Sequence, residues 1–226
     1  MSYLNVYRQR LQASGNNATD GIVNSSKQTI KNNFSNSLFS ETVLIDAVEY
    51  EVIVTQEKKS EDKKILLKPD TQIYVGSVVK IKNSHYLTMD FLGEGINEIY
   101  PTASLKLCNS SLPIVSNKTR DLLRDENGNP VLDDDGRPQY VETGGETIPE
   151  PCIVENKVST GKDNEQLPLP EGRINVTLKY QVSDSLKVNS EFILYGNTYK
   201  ILDIDMTKVI GDKGIILLNA ERVVSS

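Results

Sequence analysis

The sequence predicts a mainly-β protein: two related small β-barrel or sandwich modules, a helical N-terminal arm, and a long acidic loop between the modules. Three observations carry this. From Glu41 onward the apolar residues alternate, as in "ETVLIDAVEYEVIVTQ", the period of a half-buried strand. The apolar complement is Val, Ile and Leu with ten Tyr and no Trp, a set that favours pleated surfaces. The third is an internal echo: "EFILYGNTYKILDID" (191–205) repeats the pattern of "VVKIKNSHYLTMDF" (78–91), with Tyr199 matching Tyr86 and Asp203 matching Asp90 at one offset of 113 residues. Val188 and Val75, Ser190 and Ser77, and Leu218 and Leu105 follow at the same offset.

Residues 1–40 read as a polar arm, partly helical. Its thin apolar stripe is Val23, Ile30, Phe34 and Leu38, the last three at helical spacing, with Thr19 or Asp20 as the cap. So narrow a stripe does not hold a helix by itself. The expected partner surface is another subunit, so these four residues are the candidate interface.

The first β-module is assigned to residues 41–114. It opens with a hairpin turning at Asp46-Ala47, passes a charged loop "EKKSEDKK", and contains five or six strands ending in "SLKLCN". The second module, 152–226, holds "GRINVTLKY", the echoed hairpin and "GDKGIILLNAERVV". The echo implies a hairpin turning at Lys82-Asn83-Ser84 in one copy and Tyr195-Gly196-Asn197 in the other.

Residues 115–151 form the exposed acidic segment. Within it, "DENGNPV" and "DDDGRPQ" repeat at a period of eight, each carrying a tight-turn dipeptide, Asn127-Gly128 and Asp135-Gly136. Asp125, Asn127, Asp133, Asp134 and Asp135 are oxygen donors of the kind calcium prefers. Counted from Asp125, however, Pro130 and Gly136 stand where an EF-hand loop needs Gly and a bidentate Glu. They are read as solvated turn residues, with no metal.

The net charge is −6 and the pI near 5.0, which argues against gripping nucleic acid by its phosphates. No apolar run approaches a membrane span, so no membrane partner is expected, and the N-terminus lacks a secretory apolar stretch. The triplet "NVT" at Asn175 is accordingly read as a chance match. Cys108 and Cys152 are too few for a disulfide framework and too far apart for a metal knuckle. They read as small buried hydrophobes, with a bridge between them as the alternative. His85 is the single histidine, no nucleophile elbow or phosphate-binding glycine loop is present, and Asp203 and Asp205 alternate on a strand as solvated pairs do. The expectation is a protein that is not an enzyme and has no cofactor.

The arm "SSKQTIKNNFSNS", the hairpin "VLIDAVEYEVIV", "LLKPD" with "VGSVVKIKNSHYLTMDF", "LKLCNSSL" answered by "PEPCIVENK", and "LPEGRINVTLKYQ" with "EFILYGNTYKILDID" together resemble head-tail joining (neck, head-closure) proteins of tailed bacteriophages of Gram-positive bacteria. The resemblance implies a virion protein, assembled in the bacterial cytoplasm, that forms a ring with itself beneath the portal. Its partners would be portal and tail proteins, with viral DNA passing through without specific binding. The doubled acidic turn departs from that family's pattern. The alternative is a carbohydrate-binding or tail-associated β-module using exposed tyrosines.

Overall fold

The computed structural model describes residues 18–56, 61–116, 119–159, 166–168 and 170–223. Residues 1–17 of the expected arm and 57–60 of the charged loop lie outside the described residues. The chain divides into two units, Met1–Cys108 with Lys213–Ile215, and Asn109–Asp212 with Ile216–Ser226.

In the first unit, helix α1 (Ala18–Asn33) and a 3-10 turn (Phe34–Asn36) precede six strands: β1 (Ser40–Ile45), β2 (Val48–Gln56), β3 (Asp62–Leu67), β4 (Val78–Ile81), β5 (Ser84–Leu92) and β6 (Thr102–Leu107). Thr19 and Asp20 lie within the first turn of α1 rather than before it. The strands form a closed antiparallel barrel in the order β1-β2-β3-β6-β5-β4. Alternation sends Val43, Ile45, Val52, Ile65, Leu67 and Val79 to the interior. The barrel closes where Leu44 and Ile45 face Lys80 and Val79. There the Asp46 amide donates to the Val78 carbonyl at 2.9 Å, and the Val78 amide donates to Asp46 Oδ1 at 3.1 Å. Asp46 and Ala47 have φ of 48° and 68°, the two-residue turn whose twist matches its flanking strands.

The second unit contains β7 (Ser110–Val115), β8 (Thr119–Leu122), β9 (Tyr140–Thr143), β10 (Thr147–Glu155), β11 (Lys157–Ser159), β12 (Gln166–Pro168), β13 (Arg173–Lys179), β14 (Glu191–Leu194), β15 (Asn197–Asp205), β16 (Val209–Ile210) and, from Ile216 onward, β17 (Lys213–Arg222). Its 7-stranded sheet runs β14-β15-β17-β13-β10-β7, with β16 beside β17. The strand 110–115, grouped by sequence with the first module, therefore belongs to the second sheet, where it pairs with β10. Consequently the acidic segment is an insertion inside the second unit, with β8 and β9 forming their own two-stranded ribbon.

Read from β7, this path has the order of the first barrel, with β7, β10, β13, β17, β15 and β14 standing for β1, β2, β3, β6, β5 and β4. The echo extends to single hydrogen bonds. Gly76 donates to Thr88 at 2.8 Å and Asn189 to Ile201 at 2.8 Å; Thr88 donates to Ser77 at 3.0 Å and Ile201 to Ser190 at 2.9 Å. Both β5 and β15 carry a bulge at the same place, between Thr88 and Asp90 and between Ile201 and Asp203. Gly76 and its counterpart Asn189 share a positive φ, 88° and 72°. The echoed turns are two residues long, since Ser84 pairs with Ile81 and Asn197 with Leu194.

In the last strand the equivalence is two residues longer than the sequence offset suggests. Thr88 faces Leu105 and Ile201 faces Ala220, so Leu105 corresponds to Ala220 and Ala103 to Leu218. Their sizes are exchanged: Phe91 faces Ala103, whereas Ile204 faces Leu218, which conserves volume across the core. Cys152 faces Leu178 as Val52 faces Leu67, all four fully or nearly fully buried, so this thiol fills a valine's place. Cys108 is half-buried just past β6, its amide donating to the His85 carbonyl at 2.9 Å.

Ala47 has no need of its side chain in the turn and occupies a left-handed conformation that a Cβ disfavours. Ala47→Gly is expected to raise stability by about 0.5–1 kcal/mol, read as a higher denaturant midpoint at unchanged slope. An unchanged or lower midpoint would show that the turn is not strained.

Candidate functional site

Among the described residues, three features stand outside the two main sheets: the N-terminal helix, the acidic ribbon tip and the two-stranded β11-β12 pair. Helix α1 is polar on most of its surface: Ile22 is 68% exposed, and Val23 and Ile30 are half-buried. Its attachment to the first barrel is ionic. Lys27 and Lys31, one helical turn apart on a shared face, reach the loop after β3. Lys27 Nζ lies 2.8 Å from Asp70 Oδ1 and 3.1 Å from Glu98 Oε2, and Lys31 Nζ lies 2.7 Å from Asp70 Oδ2. Asp70 sits in the left-handed region at φ 66°, and Glu98 on the 3-10 turn Gly95–Glu98. The Lys27 hydrogen bond, followed by that of Lys31, holds the Asp70 carboxyl below its ordinary range. Asp70, followed by Glu98, raises the Lys27 ammonium.

Beyond the helix, Phe34 is buried at 2% exposure, with the Lys68 ammonium 5.6 Å from its ring centre. Lys68 also pairs with Glu51, which accepts from Ser40 Oγ at 2.8 Å. Lys68, then Ser35 and Ser40, depress the Glu51 carboxyl to about 2. The expected stripe is thus divided. Phe34 is consumed by the first unit's own fold, Val23 and Ile30 are half-covered, and Leu38 is 96% exposed with Phe39 beside it at 67%. The helix ends at Asn33, so the four-residue spacing from Ile30 to Leu38 does not lie on one helical face.

The tip grows from β8 and β9, with Arg120 stacked 4.4 Å from the Tyr140 ring centre. Beyond Leu122 the two eight-residue repeats fold alike. Asp125 Oδ1 accepts from the amides of Asn127 at 2.9 Å and Asn129 at 2.8 Å; Asp133 Oδ1 accepts from Asp135 at 3.0 Å and Arg137 at 2.7 Å. Gly128 and Gly136, at φ 83° and 77°, complete the turns. Three backbone bonds then close a cycle: Val131 donates to Leu123 at 2.9 Å, Gln139 to Val131 at 2.8 Å, and Leu123 to Gln139 at 2.9 Å. The Asn129 amide leads the groups that lower the Asp125 carboxyl. Asp125, Asn127, Asp133, Asp134 and Asp135 are all exposed. Asp125 and Asp133 spend a carboxylate oxygen on their own backbone, while Asp134 and Asp135 face solvent.

Among the described residues, no group of three or more His, Cys, Asp or Glu is placed to hold a metal ion. No described helix is long and apolar enough to cross a membrane. His85 is half-buried on β5 opposite Lys80, and Tyr86 and Tyr199 are core residues at 6% and 8% exposure. Asn175 is buried too, its Oδ1 accepting from Asn219 Nδ2 at 3.3 Å. Sequence reasoning missed Lys27, Lys31, Asp70 and Glu98. The helical spacing of the two lysines was visible, but no local pattern marks the acids that receive them.

Residues 5–107 match the family described as the YomX N-terminal domain, and residues 110–221 the YomX C-terminal domain. The two matches part where the structural units part. The SPbeta prophage-derived uncharacterized protein YomX of Bacillus subtilis (strain 168) is 33% identical over 187 residues, covering 82% of this chain and 83% of that protein. No solved structure matches.

Because the Glu51 carboxyl titrates below its ordinary 4.5, its contribution to stability is complete above that pH and is lost as pH falls through about 2. Glu51→Gln should therefore destabilise the first unit at pH 7 and match the wild type near pH 2, in denaturant melts at both. A constant difference across that range would remove Glu51 from the clasp. Replacing residues 123–139 by a short Gly-Ser turn should change stability by less than about 0.5 kcal/mol, since the tip buries none of either core. A large fall in melting temperature would show that the tip supports the sheet it grows from.

Proposed function

We propose, from the premise that the chain belongs to the YomX family and has a prophage-derived relative, that this phage-derived protein is a structural component of a tailed-phage virion, assembling as a ring at the head-tail joint. The observation that supports this best is where the chain departs from its own repeat. Both cores build the same six-strand path, while the helix, the acidic tip and the β11-β12 pair are added outside it. Such additions are suited to contacts with neighbours, and a barrel is a rigid base for them. In this reading the protein has no catalytic role and no cofactor, and its partners are further copies of itself and the portal and tail proteins.

Charge supports free passage of DNA through such a ring. Acidic and basic residues balance up to Cys108, so the net −6 arises wholly from the residues that follow, and the tip holds much of it. Duplex DNA carries one phosphate charge per ~1.7 Å of axis, so a basic lining would retain it, whereas an acidic one repels it within a screening length of roughly 8–10 Å.

Mass spectrometry of purified virions should find the protein in several copies per particle, and the isolated chain should show no measurable duplex binding at about 50 mM salt. Absence from virions would overturn the assignment. Micromolar DNA binding that weakens steeply with added salt would overturn the repulsive passage.

A further inference from the structure

We infer that helix α1 is exchanged between neighbouring copies, its Lys27 and Lys31 seated on Asp70 and Glu98 of the adjoining chain; this rests on the ring reading and specifies its subunit contact. Three features point to it. First, α1 carries an ionic attachment: Lys27 is only 15% exposed between its two carboxylates, while on the same helix Val23 and Ile30 are half-buried and Ile22 stands 68% exposed. The acids of this seat come from two segments of the barrel unit, the β3–β4 loop with Asp70 and the 3-10 turn with Glu98, so the same two segments on a second copy offer identical complementarity.

Second, α1 and the barrel meet at one short joint. The helix ends at Asn33, which stays right-handed at φ −101° and ψ −2° and leads directly into the 3-10 turn that begins with the buried anchor Phe34. Phe34, with Lys68 over its ring, holds the start of the barrel whichever way residues 18–33 point. Third, Leu38 and Phe39, directly after this joint, are 96% and 67% exposed, although they connect a helix and a barrel of the same unit. Two large adjacent apolar side chains left in solvent at a joint are what an approaching copy would cover. Exchange thus joins a charge-complementary seat to an uncovered apolar step, two contacts that a closed single chain leaves separate. The helix keeps the same ion pairs in either arrangement, so the cost of exchange is confined to the joint.

The test uses full-length chains with the seat reversed from either side. K27E/K31E and D70K/E98K each place like charges together and should assemble about tenfold less well than wild type in analytical ultracentrifugation. Mixed one to one, they restore attraction only if each helix docks on the other variant: reversed helix on reversed seat, native helix on native seat. We expect the mixture to recover wild-type assembly in alternating order. The chain carrying all four substitutions should assemble alone, which shows that the reversed seat folds and binds. If that chain assembles and the mixture does not recover, the helix stays on its own barrel and exchange is overturned while the ring stands. A wild type that remains monomeric would remove the ring, and exchange with it.

Discussion

Everything else in this protein depends on how its sheets avoid an open edge. An unpaired strand leaves a row of amides and carbonyls that invites other chains, and full closure removes that row. The first unit closes by ladder, with β1 against β4 and Asp46 supplying a side-chain bond beside the backbone one. The second unit ends its path on β14 and β7. There two serines act on the last residue of β7: Ser183 Oγ donates to the Val115 carbonyl at 2.6 Å, and the Val115 amide donates to Ser185 Oγ at 3.2 Å. Ser183 is buried, so its hydroxyl is committed to this edge rather than to water.

The same closure explains where novelty accumulates. Core positions are tied to partners on two neighbouring strands, so Ile65 and Leu67 in one copy are answered only by Val176 and Leu178 in the other, all fully buried. Turns are tied to nothing beyond their own ends. The two-residue turn between β1 and β2 corresponds to the connection between β7 and β10, and that is where the acidic ribbon is inserted. Its rigidity is local, supplied by Asp125 and Asp133 and by the cycle through Leu123, Val131 and Gln139, so it projects without drawing on the core.

Electrostatics divides along the same line. Ion pairs of the first unit lie at the N-terminal helix, Lys27 and Lys31 with Asp70 and Glu98, and nearby Lys68 with Glu51, while the second unit has Arg173 with Glu221 and Lys187 with Asp184. A helix retained by ion pairs weakens as salt rises, whereas a barrel retained by apolar burial does not.

Much of the fold was legible because alternation and turn chemistry are local. The Asp46-Ala47 hairpin, the paired turns at Lys82 and Tyr195, and the doubled Asp-x-x-Gly tip each follow from a few adjacent residues. The echo between Tyr86 and Tyr199 was equally plain, since the hairpin and bulge it encodes tolerate few patterns. Strand partnership is a different kind of fact. Nothing in "SSLPIV" says that it pairs with "TIPEPCIVE" in the second sheet rather than with the strand before it, because its alternation satisfies either core. Nor does spacing reveal that Ala220, not Leu218, stands for Leu105, since the two cores exchanged a large and a small residue between facing strands. The arm shows the limit most clearly: its apolar spacing pointed to Phe34 and Leu38 together, yet packing buried the first and left the second in solvent. The sequence by itself determined the elements and their turns, where each residue answers to its neighbours. Only the tertiary structure decided which edges meet and which acids receive Lys27 and Lys31, because those contacts join residues far apart in the chain.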